Sequence, residues 1–479
     1  MTATLAMILL LAAPAQGAQP ILAPAAVSAA AEPLTLAEVL RSSARASPQI
    51  IEQLARERQA QGRALSAQGA FDTVFGVEGR SRMLGYYDGD VVEARATRPF
   101  TTNGGYAYGA YRVSRGAFPI YEDEVYTNEL GEAKIGVLYS MLRDRLIDER
   151  RTQRTLAASD IDIARFERLA VAVGVQTRAV KAYQTWVAAG WRLRAYRELV
   201  ELADSRRGAI ERQVALGARP DILITENEQN RVRRQALVVR AEGDFRTASN
   251  ALSLYYRDAA GQPRIVDETS LPRALSALAV DASPAHRINA SERPDLQSLL
   301  ERIDQSTAKL ALAENNLKPR FDLRAEFGKD VGDEGRGGAS RTPAEAAIGF
   351  RFAVPLQNRA AKGKLAEARA EIDALEARAR LLRDQITIEV EGVSIALNAA
   401  ERLAATAEQE RDLADRLAAA ERRRFQLGSS DFFLVNQREE TATDAAVRLI
   451  EAQTRIAAAR ADLAAATVDW TALGLDEMN

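Results

Sequence analysis

The chain contains an internal duplication, and this repeat constrains its fold more than any other feature. The first half contains Leu216-Gly217 followed by Pro220-Asp221, and the second half contains Leu427-Gly428 followed by Ser430-Asp431. In both halves a short alternating apolar and polar segment precedes this break by a similar distance. Each half is therefore predicted to form a helix, a strand, a loop, a returning strand, a very long helix, a tight break and a final helix.

The domain boundaries follow from this repeat. We predict a first repeat over residues 34–262, a linker over 263–292 and a second repeat over 293–473. Strands are predicted at about 71–83 and 133–141 in the first repeat, and at about 321–329 and 347–355 in the second. The first pair is separated by a long inserted loop, 84–132, which we interpret as either an additional hairpin or an extracellular flap.

The predicted strands alternate apolar side chains with charged ones, as strands do when their two faces meet different surroundings. A soluble sheet packed against helices and the wall of a transmembrane barrel both fit one such strand. Four of them, in a chain whose first 17 residues resemble a secretory signal peptide, favour the barrel wall. The side chains that we predict to face lipid are Phe71, Phe75, Val137, Tyr139, Leu323, Phe327, Phe350 and Phe352.

Four strands cannot close a barrel, and an open sheet edge in hydrocarbon leaves backbone groups unpaired at several kcal/mol each. If the sheet lies in a membrane, several copies of the chain must therefore contribute to one barrel.

The two long helices are predicted from about Arg143 to Leu216 and from about Gln357 to Leu427. Small and apolar residues recur in steps of three and four along the second, as in a coiled coil. At ~1.5 Å per residue, each helix is roughly 100 to 110 Å long. A plain coiled-coil dimer is the alternative, but the flanking strands favour helices that cross a periplasm.

The N-terminus resembles a secretory signal peptide over residues 1–17, with an apolar run from Leu5 to Ala13 and small residues after it. A disordered Ala/Pro-rich tail is the alternative, although it does not explain the leucines. No later segment has the ~20 consecutive apolar residues of a membrane helix.

The composition argues against enzymatic catalysis and against nucleic-acid binding. The chain has no cysteine, a single histidine (His286) and a net charge of −2. These counts exclude disulfides and thiolate or histidine-rich metal sites, and a near-neutral chain lacks the basic excess that phosphate binding needs. We therefore predict no enzyme activity, no catalytic residues, no metal, no cofactor and no nucleic-acid partner.

The repeated breaks are predicted to be the tips of helical hairpins. Gly217 and Gly428 suit the left-handed geometry that ends a helix, and Asp221 and Asp431 suit the caps of the helices that follow. A specific functional role of the two aspartates is the alternative to capping.

With this layout the chain resembles the TolC family of outer-membrane efflux proteins over nearly everything after residue 34. The resemblance rests on the duplication, on residues 215–221 (ALGARPD) and 425–431 (FQLGSSD), and on Arg293-Pro294-Asp295-Leu296 at the start of the second half. It implies a homotrimer in which four strands per chain make a 12-stranded outer-membrane β-barrel and the helices form a periplasmic α-barrel.

The resemblance also implies a function. Family members are passive channel-tunnels of tripartite efflux or type I secretion systems, and they receive substrates from a periplasmic adaptor and an inner-membrane pump. The adaptor docks at the helix tips, here Gly217, Asp221, Gly428 and Asp431. Family tunnels are often narrowed by aspartates at positions that Leu223 and Leu434 occupy in this chain. The alternative function is a periplasmic coiled-coil adaptor or scaffold, which would have no lipid-facing strands.

Overall fold

A computed structural model describes residues 33–278, 292–335 and 343–476. The predicted signal peptide at residues 1–17 lies outside the described residues. His286 and the other linker residues between 279 and 291 also lie outside the described residues.

The described chain is mainly helical, and its helices occupy matching positions in the two halves. Helices α2, α3 and α4 of the first half correspond to α5, α6 and α7 of the second, and α1, at the start of the first repeat, has no counterpart among the described residues of the second. Their bounds are α1 (Leu36–Ala46), α2 (Pro48–Gln68), α3 (Glu149–Ala215), α4 (Ile222–Leu252), α5 (Pro294–Asn315), α6 (Arg359–Gln426) and α7 (Phe432–Thr467).

The two long helices set the length of the molecule. Helix α3 has 67 residues and α6 has 68, so each is about 100 Å long at ~1.5 Å per residue. Helix α3 begins at Glu149 because Asp148 caps it, its side chain accepting a hydrogen bond of 2.8 Å from the backbone N–H of Arg151. No helix within the described ranges is both long and apolar enough to cross a membrane.

Helix α3 is the hub of the packing, since it contacts α1, α2, α4, α5 and α7, while α6 packs on α5 and α7. The largest core lies midway along α3, where Tyr183, Trp186 and Leu193 are buried against Phe245 and Leu252 of α4. Towards the tips α6 and α7 pack through small residues, with Ala414 and Ala418 buried against Ala442 and Ala445. The buried positions of the predicted α6 seam are Ala368, Ala379, Ile386, Val390, Ala400, Ala404 and Ala407.

The strands form one antiparallel sheet of six strands in chain order. Its strands are β1 (Val74–Ser81), β2 (Asp90–Pro99), β3 (Gly105–Arg115), β4 (Glu132–Ser140), β5 (Arg320–Asp330) and β6 (Glu345–Ala353). Within the described chain each of the outermost strands, β1 and β6, pairs with one neighbour only.

The fold class, mainly helical with a small β part, is confirmed, but the count of four strands per chain is wrong. Residues 90–115 of the inserted loop form β2 and β3 and pair in line between β1 and β4. The additional-hairpin interpretation is therefore correct for this part of the insertion. The expected twelve-stranded barrel depended on four strands per chain and no longer follows.

Candidate functional site

The sheet has two chemically different faces. Residues paired across antiparallel strands point to the same side, so the register assigns every strand residue to a face. One face, here called the apolar face, carries almost only apolar or small side chains in its central band. Its larger members are Phe75, Val77, Val92, Tyr111, Val113, Ile135, Val137, Tyr139, Phe321, Leu323, Phe327, Ile348, Phe350 and Phe352.

The opposite face, here called the charged face, is lined by acidic and basic side chains that pair with one another. Glu132 binds Arg112 at 2.6 Å and Lys134 at 3.1 Å. Arg324 bonds Glu326, which also accepts a hydrogen bond from the hydroxyl of Tyr108. Of these groups, Arg112, Glu132, Lys134 and Glu326 border a polar cavity of about 600 Å³, which is also lined by Asp123, Glu124 and Tyr126 of the segment that crosses this end of the sheet.

Large apolar side chains of the sheet are exposed while acidic side chains of its inner strands are buried, which is the reverse of burial in a soluble sheet, and the outer strands β1 and β6 are exposed on both faces. On the apolar face Ile348 is 81% exposed and Phe350 is 74% exposed, whereas on the charged face Asp322 and Glu132 are 3% and 8% exposed. Monomeric soluble proteins rarely expose a contiguous apolar patch of this size, and such patches mark contact with a membrane or a partner.

Seven of the eight side chains predicted to face lipid lie on the apolar face. They are Phe75, Val137, Tyr139, Leu323, Phe327, Phe350 and Phe352.

The eighth, Phe71, does not. It lies in a short 3-10 helix (Gly69–Phe71) before β1, its side chain is buried, and the guanidinium of Arg154 lies 5.1 Å from its ring centre. The chain enters the sheet only at Val74, so the alternation of β1 does not extend back to Phe71.

At the far end of the long helices, the two breaks adopt the same conformation. Gly217 and Gly428 have φ angles of 71° and 79°, as predicted for residues that end a helix in the left-handed region. The next residue bonds back in both cases: Ala218 N–H donates to the carbonyl of Gln213, and Ser429 N–H donates to that of Arg424, each at 2.9 Å. These bonds turn the chain sharply into α4 and α7.

The two tip aspartates differ. Asp431 caps α7, its side chain accepting a hydrogen bond of 2.7 Å from the backbone N–H of Leu434. Asp221 also precedes a helix, but it is in the right-handed helical region and its side chain makes no capping hydrogen bond. The capping prediction is therefore correct for Asp431 and wrong for Asp221. Leu223 and Leu434 are both half-buried at the start of their helices.

Sequence reasoning missed an ionic cluster that joins the two tip hairpins. Glu439 of α7 bonds both Arg206 of α3 and Arg234 of α4, and Arg234 also donates to the carbonyl of Leu199 at 2.9 Å. Burial lowers the pKa of the Arg206 guanidinium, and the nearby Glu439 carboxylate opposes that shift. The sequence did contain an indication of this cluster: the charged residue Glu439 lies four residues after Val435 and three before Ala442, on the buried face of α7.

No group of three or more His, Asp or Glu side chains in the described ranges is arranged to hold a metal ion.

Comparison with known proteins places this architecture. No protein-family model matches the chain, and no curated protein matches its sequence. Solved structures do match. The Campylobacter jejuni CmeC outer membrane channel has a TM-score of 0.59 at 14% identity, covering 90% of this chain and 85% of that one.

Two further structures match to the same degree. The Vibrio cholerae outer membrane protein VceC has a TM-score of 0.59 at 17% identity, covering 90% of this chain and 95% of that one. The open state of the Neisseria gonorrhoeae MtrE outer membrane channel has a TM-score of 0.60 at 14% identity, covering 90% and 88%.

The chain therefore has the fold of an outer-membrane channel. Within that class it is the fold of the TolC family, so the resemblance drawn from the repeated motifs is confirmed at the level of fold.

Proposed function

We propose that this chain forms a passive outer-membrane channel-tunnel. It would serve a tripartite efflux or type I secretion system, with the sheet in the outer membrane and the helices in the periplasm. The single observation that carries the proposal is the exposed apolar face of the sheet. A sheet with one apolar and one charged face matches the wall of a transmembrane barrel, in which the apolar side chains contact lipid and the charged ones contact water. The proposal assigns no catalysis and no cofactor to the chain.

Assembly from several copies follows from the sheet edges. Strands β1 and β6 each lack a second partner in the described chain, and unpaired edges are not tolerated in hydrocarbon. Pairing β1 of one copy with β6 of the next removes both edges. We infer three copies, as the family resemblance implies.

The helices support the same assembly. Leu381, Ile388 and Ile395 of α6 are exposed and seven residues apart, and Val232 and Val239 of α4 repeat that spacing. Apolar residues at heptad spacing form the seam of a coiled coil. A second copy of this chain is the partner that we propose for these seams.

The tips around Gly217, Asp221, Gly428 and Asp431 are the proposed docking site of a periplasmic adaptor, which would connect the channel to an inner-membrane pump. Their support is position: they lie at the end of the ~100 Å helices that is farthest from the apolar face.

Membrane fractionation tests the channel function. The full-length protein should be extracted from membranes only with detergent and should be isolated as a trimer. A water-soluble monomer that does not enter lipid would contradict the proposal and would favour the alternative of a periplasmic coiled-coil adaptor or scaffold. That alternative leaves the apolar face of the sheet without a partner.

Adaptor docking has a separate test. Replacing Gly217 or Gly428 by valine forces a branched side chain into the left-handed region, and should distort the tip without touching the sheet. The variants should remain trimeric, but less adaptor should co-purify with them. Unchanged recovery would contradict docking at the tips while leaving the channel function intact.

A further inference from the structure

The inserted hairpin, β2 and β3, is paired with its neighbours in the sheet as completely as the strands that flank it. Eight residues of β1 pair with β2, ten of β2 pair with β3, and eight of β3 pair with β4. A hairpin folded out of the wall or into a pore would leave β1 and β4 free to pair with each other, and in this structure they do not.

The side chains of the hairpin also follow the division of the sheet into an apolar face and a charged face. On β2, Val92, Ala94 and Ala96 lie on the apolar face, and their neighbours Glu93 and Arg95 lie on the charged face. The central residues of β3 on the apolar face are Ala107, Gly109, Tyr111 and Val113. Charged residues on the apolar face of the hairpin occur only at its ends, at Asp90, Arg98 and Arg115. This distribution is that of a strand pair with lipid on one side.

The turn between β2 and β3 is anchored to the helical end of the molecule. The backbone N–H of Gly104 donates to the carbonyl of Arg145 at 2.8 Å, and the buried guanidinium of Arg151 donates to the carbonyl of Thr102 at 2.7 Å. Because Arg151 belongs to the first turn of α3, the hairpin spans the sheet from its outer loops to the start of the long helix.

A side-chain contact fixes β3 against β4. Tyr108 pairs with Gly136, and its ring covers that glycine so closely that a Cβ there would lie 2.5 Å from the ring. Only glycine at position 136 allows this contact, which holds the inserted hairpin in register with the rest of the wall.

From these observations we propose that the insertion widens the pore: each copy contributes six strands, and three copies close a barrel of eighteen strands rather than twelve. This inference rests on the proposed channel function. With strands about 4.8 Å apart and tilted by about 40°, eighteen strands give a backbone diameter of about 36 Å, against about 24 Å for twelve. A barrel of that size encloses a water-filled channel.

The rest of the insertion occupies part of the added space. Residues 116–128 lie across the charged face, whereas Leu130 reaches the other side, where its carbonyl accepts a hydrogen bond from the hydroxyl of Tyr111 on the apolar face. Glu122 binds Arg80 at 3.0 Å and Arg82 at 2.6 Å, and the backbone N–H of Asn128 donates to Asp330 at 2.9 Å. Residues 116–128 therefore lie inside the outer mouth of the widened barrel and narrow it for polar solutes.

Spin labelling of adjacent residues tests the wall assignment, and the natural absence of cysteine makes single-cysteine variants straightforward. Ala96→Cys and Thr97→Cys are neighbours on β2 with similar burial and opposite faces. In trimers reconstituted into phosphatidylcholine vesicles, a label at position 96 should collide mainly with oxygen dissolved in lipid. A label at position 97 should collide mainly with a water-soluble nickel chelate.

Leu323→Cys on β5 separates this inference from the proposed function. A lipid-exposed label at 323 with a water-exposed label at 96 would overturn the widened wall alone. Water-exposed labels at both positions would overturn the channel function as well.

Electron cryo-microscopy of the full-length trimer in detergent gives a second measurement that needs no variant. Six strands per copy around the barrel, with residues 116–128 inside the mouth, is the expected result. Four strands per copy, with β2 and β3 outside the ring, would overturn the proposal.

Discussion

Arg234 of α4 and Glu439 of α7 form a salt bridge of 3.2 Å in which each side chain is only 1% exposed. The bridge connects a helix of the first half to a helix of the second, near the end where both hairpins turn. Glu439 also bonds Arg206 of α3, so one carboxylate joins three helices. A buried charge without its partner is strongly destabilising, and this relationship therefore leads to a measurable prediction.

Replacing Glu439 by alanine should leave the buried guanidinium of Arg234 with only the more distant Glu440 at 4.0 Å, remove the partner of the partly buried Arg206, and lower the free energy of unfolding by about 3–5 kcal/mol. Urea denaturation of the purified protein measures the change, and hydrogen exchange of α4 and α7 locates it. Glu410→Ala is the control, because Glu410 and Arg448 form a 2.8 Å pair that is about half exposed and worth at most about 1 kcal/mol. Equal losses in the two variants would contradict the assigned role of the buried cluster.

Arginine on the apolar face should hinder membrane insertion. Leu323→Arg and Phe350→Arg each place a charge where we propose lipid, at a cost of about 2–4 kcal/mol near the middle of the bilayer. Gly349→Arg is the matched control, because Gly349 lies on the charged face next to Phe350 and has open space where a Cβ would be. Membrane fractionation should show less inserted protein for the first two variants only. Equal insertion of all three would contradict the assignment of the faces.

Two glycine-to-alanine changes should shift stability in opposite directions. Gly217 has a φ of 71° and no neighbour within 4 Å of a Cβ, so Gly217→Ala tests backbone strain alone and should destabilise the tip by roughly 1–2 kcal/mol. Gly363 lies within α6 with equally open space, and Gly363→Ala should stabilise that helix by about 0.5–1 kcal/mol. Thermal unfolding of the two variants measures both effects, and shifts of the same sign would contradict the conformational argument.

The exposed seam of α6 should be required for assembly. Ile388 is 69% exposed and lies midway between Leu381 and Ile395 in the heptad spacing. Ile388→Asp should weaken the trimer, because a carboxylate would be buried between helices without a partner. Thr387→Asp changes the exposed polar neighbour and should leave the trimer intact. Size-exclusion chromatography with light scattering measures the oligomer, and equal behaviour of the two variants would place the subunit contact elsewhere.

The sequence was sufficient for the features that depend on local periodicity and on the repeat. Long helices, their glycine ends and the two-faced strands each follow from the spacing of side chains along the chain. The seven lipid-facing predictions that fall within strands lie together on one face, because alternation with a period of two assigns faces without knowledge of strand partners. The prediction for Phe71 was wrong because the strand begins only at Val74, and the alternation of side chains does not show where a strand begins.

Only the tertiary structure decided which segments pair and which charges are buried. The sequence left the insertion open between a hairpin and a flap, and pairing with β1 and β4 determined that residues 90–115 belong to the wall. Arg234 and Glu439 are two ordinary charges 205 positions apart, and their burial depends on how the two halves pack side by side. Periodicity is a property of neighbouring residues, whereas sheet order and buried ion pairs depend on contacts between distant parts of the chain, and these exist only once the chain has folded.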